Sequence, residues 1–198
     1  MDALFVTTGL RGMMEKMNDR DRATTYSEVE DYVAALHKLS RLKRVRRIHQ
    51  IVDLILESDR RPISCTKGCA HCCHIYLVST PDEVIQVADY VQKHRLVLDF
   101  KYLETLAGRP ETEHWRSRCP LLTGDNLCSI YPVRPAVSRS YRVSSPPEMC
   151  DAYADVCNVR QNVHRVAEVI ISAGMNMPGG SDSFFRLLWN ELKKRGRG

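Results

Sequence analysis

The stretch Cys65-Thr66-Lys67-Gly68-Cys69-Ala70-His71-Cys72-Cys73 places four thiols in nine positions, and the reading of the whole chain turns on it. A disulfide needs Cα atoms roughly 4.4–6.8 Å apart and matched side-chain directions, which one short cysteine-dense loop does not offer. Thiolates three and four residues apart do converge on one metal ion when the backbone turns sharply, and Gly68 permits such a turn. Cys72 and Cys73 are adjacent and their side chains diverge, so they serve two centres, or one ligates while the other packs. Four further cysteines follow. Cys119 and Cys128 flank the turn Gly124-Asp125-Asn126, where a hairpin brings both sulfurs to one end. Cys150 and Cys157, seven residues apart, share a face of any helix that forms there. All eight are candidate metal ligands. Eight cysteines in 198 residues is well under the ~8–10% of a small disulfide scaffold.

The rest of the composition is that of a globular chain, 43% hydrophobic and 27% charged. Its length fits one domain with helical extensions. Met1-Asp2-Ala3-Leu4-Phe5-Val6 lacks the basic and apolar regions of a secretory signal. No apolar run approaches the ~20 residues of a membrane span. A cytoplasmic chain with reduced thiols and no membrane partner is therefore expected. The formal charge of +5 permits an acidic partner without demanding one.

Outward from the cysteine loop the pattern is helical. Thr25-Tyr26-Ser27-Glu28 has the form of a capping box, and a helical signal runs on to about Ser58. Val29, Tyr32, Val33 and Leu36 share one face of it, and Val45, Ile48, Val52 and Ile55 another. These faces lie more than about 90° apart at the helical repeat, which predicts two helices or one bent near Ser40. Ser79-Thr80-Pro81-Asp82-Glu83 opens a helix to about Lys93, with a hydroxyl cap, proline in the first turn and acids at the positive end. A short helix is expected near 99–107. Residues 115–147 carry Pro120, Pro132, Pro135, Pro146 and Pro147 and read as irregular, with at most one small hairpin. Helices resume at about 148–173 and after Ser181 or Ser183. The expected fold is mainly α, its helices packed around an irregular, loop-rich cysteine segment. Three regions follow: a helical segment over 1–61, a cysteine-cluster domain over 62–157, and C-terminal helices over 158–198 packing on it.

The ordered set formed by Cys65–Cys73, Pro81-Asp82-Glu83, Cys119-Pro120-Leu121-Leu122, Cys128-Ser129-Ile130-Tyr131-Pro132-Val133-Arg134-Pro135 and Ser138-Arg139-Ser140-Tyr141 resembles the YkgJ-type cysteine-cluster family of zinc- or iron-chelating domain proteins. The resemblance covers about residues 62–157. It implies a bound zinc or iron ion or an iron–sulfur cluster. Many members carry an oxidoreductase label, and one branch resembles the cysteine-rich part of flagellin lysine methylases. A metal-dependent protein-modifying enzyme is thus a further reading. The chain departs from the family pattern Arg-Pro-x-x-Cys-Arg at Ser138, and serine is a poor partner for thiolates around zinc or iron.

Zinc in a four-cysteine site and a [4Fe-4S]²⁺ cluster on four thiolates each carry about −2 overall, so charge does not separate them. Arg118, Arg134 and Arg139 are placed to offset that charge. His71 and His74 flank the cluster and are able to ligate zinc, but with enough sulfur nearby they are expected to support the ligands or lie exposed. Cys65, Cys69 and Cys72 share the spacing of radical SAM enzymes. The helical, irregular sequence that follows lacks the strand–helix alternation of a partial barrel. Lys43, Arg44, Arg46 and Arg47 fall opposite the apolar face of their helix. They offer a rival function, a structural metal module presenting a basic helix to nucleic acid or an acidic protein. No nucleophile elbow or phosphate loop is present.

Overall fold

The computed structural model describes residues 33–110, 113, 116–150, 164–175 and 180–196. Within them the chain is mainly helical. Residues 33–37 are helical, a turn follows, and α1 runs Arg41–Ser58 from an extended Ser40. The change of apolar face is thus resolved by two helices. The capping box at Thr25–Glu28 lies outside the described residues.

The remaining helices are α2 (Pro81–Lys93), α3 (Phe100–Gly108), α4 (Ala136–Ser140), α5 (Arg165–Gly174) and α6 (Phe184–Lys194). The start of α2 has the predicted chemistry: Thr80 accepts from the Glu83 N–H, the Glu83 side chain accepts from the Thr80 N–H, and Pro81 stands in the first turn. Asp99 caps α3 by accepting from the Tyr102 N–H at 2.9 Å. Ser183 stands at the N-terminus of α6 without a side-chain cap.

Two apolar cores result. Val45, Ile48, Val52 and Ile55 of α1 are all fully buried. Ile48, Val52 and Ile55 pack with Leu36 and with Val166, Ala167 and Ile170 of α5. The second core joins Val84, Val87, Ala88 and Val91 of α2 to Leu103 and Leu106 of α3 and to Phe184, Phe185, Leu188 and Leu192 of α6. Each such side chain contributes about 1.5–3 kcal/mol on burial. Leu121 and Ile130 of the irregular segment enter the second core, and Cys119 and Cys128 pack against it. The cysteine-bearing loops are thereby seated on the helices.

The irregular middle is as expected, with one refinement. The turn between Cys119 and Cys128 closes a single antiparallel bridge, Leu122 to Cys128. The strands that pair are distant in sequence: β1 (Val78–Ser79) runs antiparallel to β2 (Asp182–Ser183) and ties the loop before α2 to the start of α6. No described helix is long and apolar enough to cross a membrane.

Candidate metal centre

The cysteine loop is shaped by its own backbone. Gly68 adopts φ +87°, the left-handed region open to glycine, and the Cys69 N–H closes the turn on the Thr66 carbonyl at 3.0 Å. A 3₁₀ helix, His71–His74, follows. It docks on the next cysteine segment through two backbone bonds, Arg116 N–H to the His74 carbonyl at 2.9 Å and Cys119 N–H to the Cys73 carbonyl at 2.7 Å. The chain then turns at Asn126, with φ +58°, and returns to Cys128. The Ser129 N–H and hydroxyl both donate to the Leu121 carbonyl, at 2.9 and 2.8 Å.

This folding brings Cys65, Cys69, Cys72, Cys73, Cys119 and Cys128 onto one cleft of about 1050 Å³. Cys150 does not line it. That residue is buried at the end of a 3₁₀ helix, Pro147–Cys150, which packs near His71–His74. Cys157 lies outside the described residues, and with it the expected helix face shared with Cys150. His71 and His74 do not line the cleft, and the His74 Nδ1 stands 3.1 Å from the Ala70 carbonyl oxygen. Ser138, where the family pattern carries a cysteine, does line it.

Every described cysteine is a free thiol. The donor set therefore fits zinc or iron, which take thiolate sulfur. The sulfurs surround the cleft without closing on a point: among the described residues no three His, Cys, Asp or Glu side chains stand at ion-binding distance. Burial pushes the Cys119 thiol up to about 12 and raises Cys128 as well. Cys72 is raised by its hydrogen bond with Cys73 and then by burial. A metal entering here displaces protons.

The arginines of the motif divide by role. All of the Arg139 contacts go to protein oxygen: its Nε donates to the Arg134 carbonyl at 2.9 Å, its Nη1 to Asp53 at 2.5 Å, and its Nη2 to the Pro132 carbonyl. It clamps residues 132–139 to α1, its hydrogen bonds all going to oxygen. Arg118 donates to the Thr123 carbonyl at 2.6 Å and shapes the turn. Arg134 lines the cleft, with its guanidinium 3.7 Å from the Tyr131 ring centre.

The long-range roles of two residues, Glu83 and Asp53, escaped the sequence reading. Glu83 is buried and accepts from the Ala136 N–H at 2.6 Å, the Ser79 hydroxyl at 2.9 Å and the Thr80 N–H at 3.2 Å. The ring Nε2 of buried His49 lies 3.1 Å from it. It thus joins α1, α2 and the start of α4, the segment whose Ser138 borders the cleft. The cap was legible at Thr80–Glu83, but nothing local marks a partner 34 residues away in α1. Asp53 of α1, the anchor for Arg139, was likewise unmarked.

On the opposite side of α1, the basic run is partly spent on the fold. Arg41 pairs with buried Asp82 at 2.9 Å, and Arg44 donates to the carbonyls of His37 and Leu39. Lys43 and Arg46 are exposed.

No curated protein and no solved structure matches the chain. Residues 64–159 match the family model CxxCxxCC, described as a "putative zinc- or iron-chelating domain". They include every residue that the cysteine spacing singled out. By this match the cysteine-bearing segment, residues 64–159 and just under half of the chain, is similar to that family of zinc- or iron-chelating domains.

Proposed function

We propose that the protein holds zinc or iron on thiolates drawn from Cys65, Cys69, Cys72, Cys73, Cys119 and Cys128. The observation that carries this reading is the meeting of six cysteines, from two segments some fifty residues apart, on one cleft. Bound zinc supplies cross-linking of loops that have little secondary structure of their own, and a [4Fe-4S] cluster adds electron transfer. The chain's own part is to seat Cys119 and Cys128 on the α2–α3–α6 core and to hold the Cys65–Cys73 loop against them.

Anaerobic purification, an absorption spectrum, and iron, zinc and acid-labile sulfide analysis test the reading. A broad band near 400 nm with stoichiometric sulfide assigns an iron–sulfur centre and the redox role. Colourless protein with stoichiometric zinc assigns a structural centre and removes the redox role. Protein without either metal, folding unchanged after Cys72→Ser and Cys119→Ser, overturns the proposal.

A second reading, contact with nucleic acid or an acidic protein through α1, is supported by the exposure of Lys43 and Arg46. Charge reversal at Lys43, Arg46 and Arg47 that leaves binding to duplex DNA, RNA and acidic protein unchanged rejects it.

A further inference from the structure

Thiolates gathered around a doubly charged metal or cluster leave about −2 in a cleft with apolar walls. That charge is costly to hold there without a nearby cation. Four basic residues border the cleft: Lys67, Arg134, Arg139 and Arg142. Arg139 is committed to Asp53 and two backbone carbonyls, and Arg142 donates to the Leu56 carbonyl and Asp59. Lys67 is exposed on the loop.

Arg134 differs from all three. Its Nε is fully shielded from solvent yet has no hydrogen-bond partner among the described residues. A buried, unpaired donor is costly, and it becomes intelligible if its partner is not protein. The residue is also held in place: its carbonyl is gripped by the Arg139 Nε, and its guanidinium stacks over Tyr131. It shares the cleft with both Cys72, from the first cysteine segment, and Cys128, from the second.

We propose that Arg134 is the charge-compensating residue of the metal centre, its orphaned Nε–H and positive charge directed at the thiolates of Cys72 and Cys128. The inference rests on the metal reading above. Arg134 is a positioning residue, and its removal weakens metal retention without removing a ligand.

The test is zinc competition against a chromophoric chelator, across pH 6–8, on wild type, Arg134→Met, Arg134→Lys and Arg134→Gln. Lys101→Met, an exposed change of equal charge on α3, is the control. Zinc stoichiometry at saturation and far-UV circular dichroism should be unchanged in all. Affinity should fall about tenfold or more in Arg134→Met, the range seen when outer partners of a metal site are lost. Arg134→Lys should recover part of the loss, and the pH of half-loading should rise in Arg134→Met and Arg134→Gln. If Arg134→Met does not fold, Arg134→Gln gives the same comparison with hydrogen bonding retained. Wild-type affinity and pH dependence in Arg134→Gln overturn this inference alone. A wild-type chain that takes up neither zinc nor iron overturns the metal reading, and this inference with it.

Discussion

Glu83 shows how much one side chain holds here. Burial pushes its carboxyl up, but His49, the Ala136 N–H and the Thr80 N–H outweigh burial and hold it below the ordinary 4.5. Glu83→Ala leaves those donors buried and unmatched, a loss of about 3–5 kcal/mol against a total stability of about 5–15 kcal/mol for a typical protein. Urea unfolding at pH 7 measures it. The pH dependence has a definite sign. Below 4.5 the unfolded chain takes up the Glu83 proton before the folded chain does, so this stability is present above 4.5 and fades as pH falls through the folded value. The difference in unfolding free energy between wild type and Glu83→Gln should therefore shrink on acidification, and a constant difference contradicts the assignment. Asp59 adds to the same acid limb: the Arg61 guanidinium holds its carboxyl down to about 2 from 3.8.

At the scale of elements, legibility followed periodicity. The buried faces of α1 and α2 were readable because apolar spacing at the helical repeat is a local property that the core then satisfies residue by residue. The pairing of Val78–Ser79 with Asp182–Ser183 was not readable, since two-residue strands carry no alternation. Nor was the clamp between Arg139 and Asp53, 86 positions apart. That clamp, together with the bond from the Ala136 N–H to Glu83, holds the 131–140 segment, which turns on proline and a short helix. Arg139→Met should speed limited proteolysis within 131–140 and lower the melting temperature. In the metal-free protein Arg134→Met should do neither, because Arg134 faces the cleft. Equal protection of the segment in both variants contradicts the clamp.

For the whole molecule, the two apolar cores are complete in protein atoms alone, while the cysteine loops rest on backbone turns and, in the function proposed above, on a bound metal. Chelation should accordingly leave the amides of α2, α3 and α6 protected from hydrogen exchange and speed exchange across 64–77 and 116–131. Loss of protection throughout the chain on chelation contradicts this division. The candidate site was legible in part for a similar reason. The Cys65–Cys73 spacing is local, and the turn between Cys119 and Cys128 is marked by its residues, but where Cys150 lies is decided by packing between distant segments. The separate fates of Arg118, Arg134 and Arg139 likewise depend on partners no spacing reveals. The central claim is that sulfur from both segments surrounds the metal. X-ray absorption at the zinc or iron edge of the natively loaded protein tests it directly. The account predicts a first shell of sulfur, at about 2.3 Å for zinc, that loses sulfur in both Cys72→Ser and Cys119→Ser; a shell of nitrogen and oxygen alone, unchanged in those variants, contradicts it.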